Sequence, residues 1–214
     1  VVIAQPVPES KKPLIVVCGK YGCGKTTAAR ALQKELDGFH YLGIDDVRQK
    51  MGLVPYRRED NAAILGQMDL WVMHLLRDGH GVIVDRPHQT YESRARSYDA
   101  ALVFGNPILL VECVCPEATA KARIAARPSS DSVHLPSNNP DITERIRRNW
   151  EDIPADFGRN PDLARLMTYV RFFSDIAKTV PVNVTGALRD FTVRACRAIE
   201  AIKGGPIDGG AAVS

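Results

Sequence analysis

Eight consecutive residues, Gly19-Lys20-Tyr21-Gly22-Cys23-Gly24-Lys25-Thr26, follow the spacing G-x4-G-K-T. Glycines at that spacing let the backbone curl so that several N–H groups face one anion. The lysine can reach the outer phosphates of a nucleoside triphosphate, and the threonine hydroxyl can ligate Mg²⁺. Gly19, Gly22, Cys23, Gly24, Lys25, Thr26 and the adjoining Thr27 form the expected phosphate-binding set. Lys25 also counts among the groups that would act on a transferring phosphate. Cys23 stands where a small inert residue is usual and reads first as filler, with oxidation sensitivity as the alternative.

Three further groups could complete a transfer chemistry. In Gly43-Ile44-Asp45-Asp46-Val47-Arg48 a carboxylate can take the proton of an attacking hydroxyl. Arg48 can hold an anionic part of the acceptor or the moving phosphate. One aspartate is expected to cap the helix that follows, and the other to work on substrate. Val82-Ile83-Val84-Asp85 is an apolar run ending in an acid, which places Asp85 with Thr26 as a candidate Mg²⁺ ligand. Arg123 and Arg127 stand four apart and so share a helix face. There they can neutralise phosphate charge beneath a closing lid. Arg86-Pro87-His88 has no metal-ligand spacing, and none of the five histidines makes a convincing base.

The elements that must carry these groups alternate between strand and helix patterns. Residues 14–18 are a compact apolar run, as expected of a strand buried on both faces. A helix is predicted over 25–37, a strand over 39–44, and a helix with Ile64, Met68, Trp71, Val72 and Leu75 on one face up to Gly79. A third strand follows at 81–85 and a helix at 91–103. Residues 108–115 form the longest apolar run and belong near the sheet centre. A helix opens at Pro116 and runs through Arg127, and residues 129–140 read as a loop. Helices at 142–150 and 161–178, a last strand at 180–184 and a final helix carrying Phe191, Ala195, Ala198 and Ile202 complete the pattern. Five strands separated by helices imply an α/β fold with a mostly parallel sheet and helices on both faces. In such a sheet the strand C-termini open onto one edge, so Asp45 and the glycine loop share a rim.

Composition narrows the classes. The 214 residues, 45% hydrophobic and 25% charged, suit one globular domain. The net charge of +3 is too small to announce a nucleic-acid binder. The five cysteines include Cys113 and Cys115, two apart in an apolar run and read as free thiols. A reducing, cytoplasmic setting is the expectation. No apolar run is long enough to span a membrane. Residues 1–13 read as a flexible leader, 14–203 as one domain with a lid at about 123–150 and an extra helical segment at about 154–178, and 204–214 as a flexible tail.

Taken in order, the phosphate loop, Asp45-Asp46-Val47-Arg48, Val84-Asp85 and Arg123-x3-Arg127 resemble the small P-loop kinases of the polynucleotide 5′-kinase and zeta-toxin-like group. The resemblance covers roughly residues 14–149. It implies a three-layer P-loop NTPase fold with a helical lid, with ATP and Mg²⁺ as cofactors. It makes Asp45 the general base, Arg48 the substrate arginine, and Arg127 with Arg123 the lid arginines. Lys20 and Tyr21 depart from the family's smaller loop residues, Arg86-Pro87-His88 from its polar tripeptide, and residues 154–178 have no counterpart.

The expected activity is transfer of the γ-phosphate of ATP to a hydroxyl. One acceptor is the 5′-hydroxyl of a polynucleotide, for which Arg145, Arg147 and Arg148 beside Trp150 offer charge and a stacking surface. The other is a small molecule such as a sugar, nucleotide-sugar or antibiotic. A nucleotide-dependent switch without transferase activity is the rival class, although the chain carries no N-K-x-D motif for reading guanine.

Overall fold

A computed structural model describes residues 11–126, 144, 147–173 and 178–183. Strand β1 (Leu14–Gly19) is buried along its whole length, as its unbroken apolar run requires. Leu14, Val16 and Cys18 face one side of the sheet while Ile15 and Val17 face the other. Around it lie β2 (Phe39–Gly43), β3 (Gly81–Asp85) and β4 (Ile108–Val114). Two more strands follow, β5 (Met167–Phe173) and β6 (Lys178–Asn183). The order across the sheet is β2-β3-β1-β4-β5-β6. The first five strands run parallel, and β6 alone is antiparallel, on β5.

Helices cover both faces. Helix α1 (Lys25–Glu35) lays Ala28, Ala29 and Leu32 on Ile15, Val17, Ile83, Leu109 and Val111. On the opposite face α3 (Asn61–Arg77) contributes Ile64, Met68, Val72 and Leu76, a helical stripe without a break. Beside it α4 (Tyr91–Phe104) adds Tyr98, Ala100 and Ala101. Thr90 and Ser93 form a reciprocal capping box at the start of α4. The short α2 (Ile44–Lys50) follows β2 directly, and α5 (Glu117–Ala125) follows β4. Among the described residues no helix is long and apolar enough to cross a membrane.

The second half of the chain differs from its sequence reading. Residues 161–178, expected as one helix, form α7 (Pro161–Leu166) after α6 (Ala155–Arg159) and then turn into β5. Leu163, Leu166, Met167 and Val170 recur at helical spacing and imitate a helical face. The run Met167-Thr168-Tyr169-Val170-Arg171-Phe172-Phe173, however, is rich in β-branched and aromatic residues, and it pairs with β4 along its whole length. The extra helical segment at 154–178 is thus two short helices and the fifth parallel strand. The expected last strand at 180–184 is the antiparallel edge strand β6, a position that tolerates Pro181. The expected final helix, the loop at 129–140 and most of the expected lid lie outside the described residues.

Candidate active site

The glycine loop connects the central strand to α1 behind it. Gly22 sits at φ 73°, and a Cβ there would lie 2.6 Å from the Ala120 carbonyl oxygen on α5. A side chain is excluded by both conformation and space. Gly24, at φ 84°, occupies the N-cap of α1 and offers no side chain to its N–H groups. The first turn of α1 holds no acid. Its free N–H groups and positive dipole end therefore remain available to an anion. Lys25 Nζ donates to the Lys20 carbonyl at 3.0 Å and lies 5.5 Å from the Tyr21 ring centre. Cys23 is buried, and Thr26 and Thr27 are exposed.

Thr26 meets Asp85 directly. Its hydroxyl donates to Asp85 Oδ2 at 2.6 Å, and the Tyr41 hydroxyl donates to the same oxygen at 2.9 Å. Asp85 is 5% exposed at the end of β3. Burial, and then the Asp85 charge, push the Tyr41 hydroxyl well above its ordinary pKa. Tyr41 thus stays a donor and fixes the carboxylate. Sequence reading missed Tyr41, yet the strand alternation carries the signal. Tyr41 and Gly43 share a face, Gly43 pairs with Asp85, and the missing Cβ of Gly43 makes room for the tyrosine hydroxyl. A carboxylate and a hydroxyl at hydrogen-bond distance are the hard oxygen donors that Mg²⁺ takes, with phosphates supplying the rest of its shell. No group of three or more His, Cys, Asp or Glu among the described residues could hold a metal on its own.

The acidic pair opens α2, just beyond the Gly43–Asp85 pairing. The N-cap is Gly43, not an aspartate. Asp46 is ion-paired with Arg30 of α1, whose guanidinium lies 3.8 Å from the Tyr41 ring centre. Asp45 is half-buried in the same turn. Arg48 is 1% exposed and turned towards the start of α3. It donates to Asn61 Oδ1 at 2.6 Å and lies 4.5 Å from the Tyr56 ring centre. Its Nε has no hydrogen-bond partner. Arg123, on α5, donates to the Gly22 carbonyl at 3.2 Å, so α5 reaches the glycine loop. Arg127 lies outside the described residues.

A second polar layer, not anticipated from sequence, caps the core on the α3–α4 side of the same edge. Arg86 is buried and donates to Asp69 Oδ1 at 3.2 Å and Ser97 Oγ at 2.7 Å. His88, at φ 51°, is buried beside it. Burial and the neighbouring Arg86 hold its imidazole well below the ordinary pKa, so it stays neutral. Arg94 clasps Asp156 of α6 with two bonds, 2.6 and 2.7 Å, both side chains being fully buried. Glu112 on β4 accepts from Arg171 Nε at 2.9 Å and from the Tyr169 hydroxyl. For Glu112 and Arg171 the sequence hint is charge inside otherwise apolar strands, whereas Arg86, His88, Arg94 and Asp156 lie in a loop and helices and carry no such signal.

The sequence pattern of the AAA domain family matches residues 14–147. No curated protein sequence matches the chain. Solved structures share the fold. A putative kinase from Chloroflexus aurantiacus superposes with a TM-score of 0.55 at 22% identity, over 64% of this chain and 78% of its own. A sugar kinase from Janibacter sp. gives 0.55 at 16% identity, over 89% of this chain and 98% of its own. Kti12 from Chaetomium thermophilum, in complex with ADP-AlF3, gives 0.55 at 18% identity, over 89% and 97%. The three-layer fold is that of the P-loop NTPase kinases.

Proposed function

The chain belongs to the AAA domain family, and on that premise we propose that it is an ATP- and Mg²⁺-dependent phosphotransferase acting on the hydroxyl of a small molecule. The observation that carries this reading is the Thr26–Asp85 contact of 2.6 Å, which joins the glycine loop to β3, whose neighbour β2 leads into Asp45. In this reading the loop N–H groups and Lys25 hold the triphosphate. Thr26 and Asp85 would hold Mg²⁺, which when bound would neutralise charge on the outer phosphates. Asp45 accepts the proton of the acceptor hydroxyl as its oxygen bonds to the γ-phosphorus and the β–γ bridge breaks. Arg123 closes over the phosphates, the role that the family resemblance also gives Arg127. Arg48 holds the α2–α3 corner and thereby sets the position of Asp45.

The acceptor assignment rests on what surrounds Trp150. Arg147 is paired with Glu117 and Glu144, and Arg148 with Glu144. Trp150 packs against the core on the α3–α4 side. Arg147 and Arg148 remain at least half exposed in these surface pairs, so it is the indole, packed inward, that offers little stacking face to a polynucleotide end. Arg145 lies outside the described residues.

Replacing the base tests transfer against mere binding. Asp45→Asn should lower kcat by about 10²–10⁴-fold, with ATP affinity by calorimetry nearly unchanged. Near-normal transfer by this variant would remove Asp45 from the role. A wild-type protein that binds ATP and transfers to nothing would favour a nucleotide-dependent switch.

A further inference from the structure

We propose that Cys23 and Cys115 form a reversible oxidation site, closing a disulfide between the glycine loop and the turn that follows β4. The two sulfurs are 3.4 Å apart although 92 residues separate them in the chain. Cys115 Sγ also lies 3.8 Å from the Gly22 carbonyl oxygen. A disulfide needs about 2.05 Å between sulfurs, so the pair must close by a little over ~1 Å. Both residues sit in connecting turns, not inside regular elements, where such a movement is accommodated most readily.

Accessibility sets the order of events. Cys115 is half-buried and meets solvent, whereas Cys23 is 4% exposed. Burial, followed by the hydrogen bond from Cys115, pushes the Cys23 thiol up to about 12, so Cys23 waits as the protonated partner. The remaining described cysteines, Cys18 and Cys113, are sealed inside β1 and β4. The oxidant is hydrogen peroxide. The Cys115 thiolate attacks one peroxide oxygen, the S–O bond forms, the O–O bond breaks, and the departing hydroxide takes a proton to become water. Cys23 then loses its proton and attacks the Cys115 sulfur. The S–S bond forms, the S–O bond breaks, and a second water leaves. Two thiols have lost two electrons in total, and one peroxide has been reduced to two waters.

The consequence follows from the packing of the loop. Gly22 already lies against Ala120 with no room for a methyl group. Drawing Cys23 towards Cys115 must therefore displace the loop backbone and turn its N–H groups from their common focus. This consequence rests on the proposed nucleotide binding, but the bond itself does not.

The test uses the full chain, reduced and then exposed to hydrogen peroxide, with mass spectrometry and ATP-binding calorimetry in Mg²⁺. The oxidised protein should be lighter by two hydrogens. Digestion should yield a Cys23–Cys115 peptide pair that dithiothreitol separates. ATP affinity should fall by about tenfold or more on oxidation and return on reduction. Cys115→Ser should bind ATP as the reduced wild type does and ignore peroxide. Pairing of Cys115 with Cys18, Cys113 or Cys196 would overturn the site, as would over-oxidation of Cys115 without any disulfide. A mapped bond with unchanged ATP affinity would overturn its coupling to the loop. Failure of the reduced protein to bind ATP would count against the proposed function, and the peptide map would still decide the disulfide.

Discussion

Asp85 ties three elements together through one carboxylate oxygen, which receives the Thr26 hydroxyl from α1 and the Tyr41 hydroxyl from β2. Asparagine at this position keeps an acceptor oxygen for both hydroxyls but removes the charge that favours a divalent cation. Asp85→Asn should therefore fold normally and need about 10–100-fold more Mg²⁺ for half-maximal transfer. A Mg²⁺ titration of transfer checks this, and an unchanged half-saturation point would remove Asp85 from the metal role. Thr26 and Asp85 were legible as candidates because the glycine motif and a strand-terminal acid are local patterns. Tyr41 was not, because its meaning depends on the register that pairs Gly43 with Asp85. Arg48 reads in sequence as a substrate group, but only the fold shows it buried against Asn61 and Tyr56. A guanidinium's reach is settled by what packs over it, and no spacing rule reports that.

At the scale of elements, the Arg94–Asp156 clasp holds α6 against α4, with the Tyr98 hydroxyl donating to the same carboxylate at 3.1 Å. Removing one partner of a buried pair strands the other charge, at a cost of about 3–5 kcal/mol. Arg94→Met should accordingly lower Tm by something like 10 °C. The double variant Arg94→Met with Asp156→Leu should regain much of that loss, since an apolar pair of similar volume is often neutral or better. Thermal melts of the single and double variants decide the matter, and equal losses in both would show that the charge pair is not what holds α6. β1, β3 and β4 were readable because each is an apolar run bounded by glycine or a turn, and β2, with exposed His40 inside it, gave the weaker signal. β5 was hidden because Leu163, Leu166, Met167 and Val170 fit a helical period across the boundary between α7 and the strand. Local periodicity cannot separate a short helix running into a strand from one longer helix. Pairing with β4 does so, and that contact is non-local.

For the molecule as a whole, strand order explains why dispersed residues share one rim. The chain passes from β1 to β2 on one side, returns through β3, and continues to β4 and β5 on the other. The order reverses at β1, the place where doubly wound sheets in general bind ligands beyond the strand C-termini. The glycine loop, Asp85, the start of α2 and the turn that leads into α5 all border that edge. The α/β class followed from alternation alone, while the polar layer of Arg86, His88, Arg94 and Glu112 needed the fold to bring it together. The central claim is phosphate transfer to a small hydroxyl compound. Its most direct test is label transfer from γ-labelled ATP in Mg²⁺ to a panel of sugars, nucleosides and 5′-hydroxyl oligonucleotides. The account predicts label on a member of the small-molecule set and none on the oligonucleotides. Label on the oligonucleotide ends alone, or on no hydroxyl at all, would contradict it.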